Sequence, residues 1–158
     1  MRKARAKIRQ VIEDPVYKSK VVTKLINHSM RDGKRSVTQK HVYSAFANVE
    51  KEAKKDPLQV FLQAIENIKP NMEVRPRRIG GAAYQVPMPV RGPRKESLAI
   101  RWLIQATNGR PNAQYKTYSN KLVAEIMDAY KGEGGAVDKK QQMERSAEAN
   151  KAFSHFRW

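Results

Sequence analysis

The chain has 158 residues, with 32 Lys and Arg against 15 Asp and Glu, a formal charge of +17 at pH 7 and an isoelectric point near 10.3. That surplus calls for an anionic partner, whether nucleic acid, an anionic membrane surface or an acidic protein, and net charge does not choose among them. No apolar run approaches the ~20 residues that cross a bilayer, no hydrophobic stretch follows the basic N-terminus as a secretory signal requires, and there is no cysteine. We therefore expect no membrane partner, a cytosolic or organelle-interior location, and one domain over residues 1–158 that buries about 70% of its unfolded surface.

Residues 1–12 read as a flexible basic arm. Arg2, Lys3, Arg5, Lys7 and Arg9 precede the first carboxylate, Glu13, with too few apolar residues to fold alone. A transit peptide is also basic and poor in acids, but this segment has almost no Ser and runs into a helix within a dozen residues. Asp14-Pro15 supplies an N-cap and a first-turn proline for a helix with Val21, Val22, Leu25, Ile26 and Met30 on one face, ended by Asp32-Gly33. A second helix starts near Ser36 and carries Val42, Tyr43, Phe46 and Val49. Asp56-Pro57 repeats the start signal for a third, striped by Leu58, Phe61, Leu62, Ile65 and Ile68 and stopped by Pro70-Asn71.

Residues 72–92 read as a β-hairpin arm. Gly80-Gly81 provides a tight reversal, and Tyr84, Val86, Met88 and Val90 alternate with Gln85, Pro87 and Pro89. Two prolines in one strand suit a two-stranded arm rather than the centre of a larger sheet. Six cations, Arg75, Arg77, Arg78, Arg91, Arg94 and Lys95, occur between 74 and 95 without a carboxylate. They fit a polyphosphate surface or, alternatively, a solvated basic loop; Tyr84 fits base stacking or packing within the hairpin. Helices at about 93–106, ended by Asn108-Gly109, and around Leu122, Val123, Ile126, Met127 and Tyr130, closed by Gly132, complete the core. The segment 136–158 begins with a helix to about residue 151. Val137 and Met143 are its large apolar residues, so it belongs outside the bundle, against a partner. The fold class expected is mainly α, a bundle of about six helices with a protruding two-stranded β-hairpin.

Catalytic chemistry does not assemble. His28, His41 and His155 lack the i, i+4 spacing of a helical zinc pair, and no cysteine completes a site. Gly33-Lys34 fails as a phosphate loop, because His28 stands where the leading glycine belongs and Arg35 where Ser or Thr belongs. No catalytic residue, metal or cofactor is expected, and the protein is read as a non-enzyme. Among binding proteins, a DNA-binding or nucleoid protein shares the charge and the helices, but no helix concentrates Arg, Asn and Gln on one exposed face.

Five ordered motifs carry a resemblance: residues 14–17 (DPVY), 30–36 (MRDGKRS), 74–87 (VRPRRIGGAAYQVP), 99–102 (AIRW) and 147–158 (AEANKAFSHFRW). Together they resemble the seventh small-subunit ribosomal protein family of bacteria and organelles. The resemblance implies a helical bundle whose hairpin helps bind the 3′ major domain of small-subunit rRNA and nucleate head assembly. It also implies that hairpin and last helix lie near exit-site tRNA and mRNA, beside neighbouring small-subunit proteins of head and platform. The location implied is the cytoplasmic ribosome of a bacterium, or an organellar ribosome. Carried onto this chain, Arg75, Arg77, Arg78, Arg91, Arg94 and Lys95 become the hairpin's RNA contacts, joined by the basic arm, Lys34 and Arg35, and by Lys116, Tyr118 and Lys121 near the fifth helix. Arginine suits this task because its planar fork pairs two phosphate oxygens and stacks on exposed bases.

Overall fold

A computed structural model describes residues 10–157. The basic-arm residues Arg2, Lys3, Arg5, Lys7 and Arg9 lie outside that range. Helices α1 (Lys20–Ser29), α2 (Arg35–Ala53) and α3 (Pro57–Ile68) lead into strands β1 (Met72–Ile79) and β2 (Ala82–Pro89). Helices α4 (Pro93–Gly109), α5 (Tyr118–Lys131) and α6 (Gly135–Ala149) follow, and a 3-10 helix spans Lys151–Phe156. The mainly helical class with one antiparallel hairpin agrees with the sequence pattern.

Asp14 does not cap α1. Its carboxylate accepts the backbone N–H groups of Val16 and Tyr17, each at 3.1 Å, and the Tyr43 hydroxyl at 2.8 Å. The turn so formed cannot propagate because Lys18 takes a left-handed φ of 46°. The helix starts afresh at Lys20 behind an extended Ser19. Asp14 instead ties the chain to α2. Burial, the hydrogen bond to Asp14 and the Asp14 charge push the Tyr43 phenol up to about 12.

Asp56 does cap α3, accepting the Leu58 N–H at 3.0 Å with Pro57 in the first turn. Within α3 the inward positions are Val60, Phe61, Ala64, Ile65 and Ile68; Leu62 falls off this stripe and is 40% exposed. Those residues meet Val22, Leu25, Ile26, Val42, Phe46, Ile100, Leu103, Leu122 and Ile126 in one continuous core. Each large apolar side chain there contributes about 1.5–3 kcal/mol by leaving water. Helix α5 lies at the centre, packed on α2, α3, α4 and α6.

The loop 110–117 is fastened to α5 by a partly buried charge cluster. Arg110 donates to Glu125 at 2.7 Å, to the Tyr115 hydroxyl at 3.1 Å and to Asp128. Glu125 also accepts the Ala136 N–H at 2.9 Å, joining α5 to the start of α6. Gly134 permits this approach: its φ is +93°, and a Cβ there would meet Asp128 Cβ at 3.0 Å and Glu125 Oε1 at 3.2 Å.

Helix α6 buries Ala136, Val137 and Ala147. The sequence pattern places it outside the bundle, against a partner. One face packs on α3, α4 and α5 and along both strands of the hairpin, while Asp138, Gln141, Gln142 and Arg145 remain exposed on the other. Small alanines let it lie close without a wide apolar stripe.

Candidate nucleic-acid interface

The hairpin register pairs Glu73 with Met88, Arg75 with Val86, Arg77 with Tyr84 and Ile79 with Ala82, leaving Gly80-Gly81 as a two-residue turn at φ +56° and +89°. Both residues need positive φ in a turn of this type, which glycine supplies without steric cost. Side chains alternate along a strand, so Arg75 and Arg77 share a face with Glu73 and Met88, whereas Arg78 lies on the other. The hairpin cations therefore do not form one flat surface.

At the base, Glu73 is 4% exposed and grips two of them. Its Oε1 accepts Arg75 Nε at 2.5 Å, and Arg94 Nη2 stands 2.7 Å from Oε2. Burial pushes the Glu73 carboxyl up, but the hydrogen bonds from Arg94 and Arg75 outweigh it and hold the group below the usual glutamate range. The Arg94 guanidinium is raised in return, chiefly by its hydrogen bond to Glu73. Lys95 Nζ donates to Asn71 Oδ1 at 3.0 Å, and Asn71 N–H donates to Glu144 of α6 at 3.0 Å, so the hairpin root is clamped from both sides.

Arg75, Arg91 and Arg94 line a concave basin of about 380 Å³ together with Met88, Pro89 and Arg157. Among the described residues, Glu73 is the acid that pairs with this group, leaving the basin strongly cationic. Neither Glu73 nor Arg157 was among the sequence-derived site residues.

Tyr84 packs against the C-terminal segment rather than within the hairpin. Its ring lies 5.3 Å from that of Phe153 and 5.4 Å from that of Phe156, so the 3-10 helix braces the outer half of the hairpin. Lys34 and Arg35 are exposed at the start of α2. Lys34 and Tyr118 line a second concavity together with Arg31, a cation that did not stand out in the sequence pattern. Tyr118 is half-buried, and burial pushes its phenol above the ordinary value. Lys116 is exposed in the 110–117 loop. Lys121 is different: at 9% exposure on the central helix, most of its side chain is packed and little of it is open to a phosphate.

Helix α4 connects the two concavities. Arg94 stands in its first turn and Asn108 in its last, separated by about 20 Å of helix rise. Lys24 of α1 bonds Glu96 of α4 at 2.8 Å and helps fix the angle between them. The cations of the first concavity, among them Arg94, and those of the second, Arg31 and Lys34, thus lie at opposite ends of α4. The histidines are dispersed: His28 is exposed, His41 bonds Ser119 at 3.0 Å, and His155 bonds the Ala152 carbonyl. Among the described residues no group of three or more His, Cys, Asp and Glu can hold a metal, and no helix is long and apolar enough to cross a membrane.

The fold and its basins define a basic, helical binding scaffold that presents arginine-rich concavities to an anionic surface. Residues 1–151 match the family described as Ribosomal protein S7p/S5e, and the chain belongs to that family. It is 53% identical over 158 residues to the small ribosomal subunit protein uS7 of Thermotoga petrophila, covering all of both chains. It is 51% identical over 158 residues to uS7 of Thermotoga maritima, again over all of both, and 52% identical to uS7 of Mycoplasmopsis synoviae over 99% of each. The family consists of ribosomal structural proteins, and the protein is not an enzyme.

Proposed function

We propose that the protein is a structural constituent of the small ribosomal subunit that binds small-subunit rRNA and packs beside neighbouring ribosomal proteins in the cytoplasmic ribosome of a bacterium. Its RNA target is the 3′ major domain, where it nucleates assembly of the head. The hairpin and the C-terminal segment lie near exit-site tRNA and mRNA, next to proteins of the head and platform. The observation that carries this reading is similarity to uS7 over the full length of the chain.

Arg75, Arg77, Arg78, Arg91, Arg94 and Lys95 serve as the hairpin's RNA contacts, with Arg157 completing the basin at its base. Lys34, Arg35 and Lys116 add contacts at the far end of α4, and the basic arm of Arg2, Lys3, Arg5, Lys7 and Arg9 adds a further cationic element. Specificity comes from shape: two groups of cations, one at each end of the roughly 20 Å of α4, select an RNA junction whose phosphates match that spacing. Hydroxyl-radical footprinting on full-length small-subunit rRNA tests this. Protection confined to the 3′ major domain is expected; protection scattered over the RNA, or none, overturns the assignment.

A further inference from the structure

The second concavity has a composition that phosphate binding does not explain. It is a cavity of about 250 Å³ where the end of α1, the first turns of α2, the last turn of α4 and the start of α5 meet. Its walls are braced. The Tyr118 hydroxyl donates to Ser29 Oγ at 3.0 Å, His41 Nδ1 and Ser119 Oγ are 3.0 Å apart, and the His41 and Tyr118 rings meet edge to face with centroids 6.1 Å apart. Within this lining Val37 is 49% exposed beside the cations Arg31 and Lys34. Asn108 contributes a carboxamide, which can both donate and accept.

A bare phosphate would use Arg31, Lys34 and the neighbouring polar donors, and would leave the rings and Val37 without a partner. The cavity falls below the roughly 300–1,000 Å³ of pockets for drug-sized ligands, so a base pair is too large and a single base fits only with its sugar and phosphate at the mouth. Aromatic rings, one apolar contact, a carboxamide and flanking cations together match a single nucleotide. The base meets the rings and Val37, its edge pairs with Asn108, and its phosphate reaches the two cations. We propose that this cavity receives one unstacked RNA base, with its phosphate held by Arg31 and Lys34. The inference deepens the RNA-binding reading and rests on it: an extruded base placed here locks the register of an RNA that charge alone would let slide.

The test uses the isotope-labelled full chain, titrated with AMP and with UMP and, in parallel, with inorganic phosphate, while His41, Tyr118 and Ser119 resonances are followed by NMR. Nucleotides should give saturable ring-current shifts at His41 and Tyr118, whereas phosphate should move groups around Arg31 and Lys34 alone. Val37→Trp, which fills the cavity without changing charge, should weaken nucleotide binding roughly 5- to 150-fold, the range expected for one stacked base, and leave phosphate binding unchanged. Asn108→Ala, at an exposed helix position, should weaken nucleotides less and phosphate not at all. Identical shift patterns for nucleotide and phosphate, or nucleotide shifts that survive both substitutions, would overturn the proposal. The titration contains no ribosomal RNA, so its failure removes the base pocket and leaves the scaffold reading to its own footprint.

Discussion

Replacing Arg91 and Arg157 together with Ala separates binding from stability at the hairpin base. Four guanidinium groups line the basin, but Arg75 and Arg94 are committed to Glu73, while Arg91 and Arg157 have no carboxylate within ion-pair distance among the described residues. On the proposed RNA-binding reading their loss removes two phosphate contacts, and it disturbs no buried ion pair. Removing one cation that neutralises a phosphate lowers the slope of log affinity against log salt by about 0.7–0.9, so the pair lowers it by roughly 1.4–1.8. Between 50 and 200 mM salt, the variant's affinity for junction RNA should therefore fall about 7- to 12-fold less than that of the parent chain. Filter binding across a salt series reads this directly, with circular dichroism melting to check the fold. The companion variant, Arg75→Ala with Arg94→Ala, changes charge equally but strands Glu73 in a buried position, so it should also melt earlier. An unchanged salt slope for Arg91→Ala with Arg157→Ala, or equal melting losses for the two pairs, would refute the division of roles.

Arg110→Ala leaves Glu125, 2% exposed at its side chain, without its cation; the Ala136 N–H still bonds it, so the expected loss is about 3 kcal/mol, or a melting point lower by roughly 6–12 °C in calorimetry. A drop under about 2 °C would contradict the cluster's role. Tyr84→Ala removes two ring contacts of about 0.5–1.5 kcal/mol each, so amide exchange over residues 151–157 should accelerate roughly 5- to 150-fold while global melting stays within error. Unchanged exchange there would show that the brace does not hold the 3-10 helix. Because the folded Glu73 carboxyl titrates below its usual value, its contribution to hairpin stability is complete above the ordinary glutamate range and is lost as pH falls through the lower folded value. Carbon-13 titration of Glu73 together with hairpin amide exchange should show that acid loss, and Glu73→Gln should abolish it; a midpoint at or above the ordinary value would contradict the clamp.

Local chemistry made much of this fold readable before folding. The Asp56-Pro57 start, the Gly80-Gly81 reversal and the Gly132 stop act within a few residues of where they are written, so their roles survive tertiary context. Asp14 looks identical to Asp56 in sequence, yet its partner is Tyr43, 29 positions away, and Lys18 turns left-handed before a helix can form. The interface divides the same way. The cation run from 75 to 95 is visible as composition, but the pairing of Glu73 with Arg94 crosses from strand to helix, and Arg157 reaches the basin through the fold of α6 and the 3-10 helix. Arg31 could have been found, since it stands three residues before Lys34 in the same loop. The packing of Lys121 could not, because it follows from the central place of α5.

Recognition of RNA shape by cations fixed along α4 and the hairpin is tested most directly by comparative affinity at matched salt. Purified protein should be measured against the small-subunit 3′-domain junction, a plain RNA duplex and a DNA duplex between 50 and 200 mM salt. A preference for the junction that persists as salt rises is the predicted result, since electrostatic attraction common to all three targets fades together. Equal binding to all three at every salt concentration would contradict shape recognition and reduce the protein to a general polyanion binder.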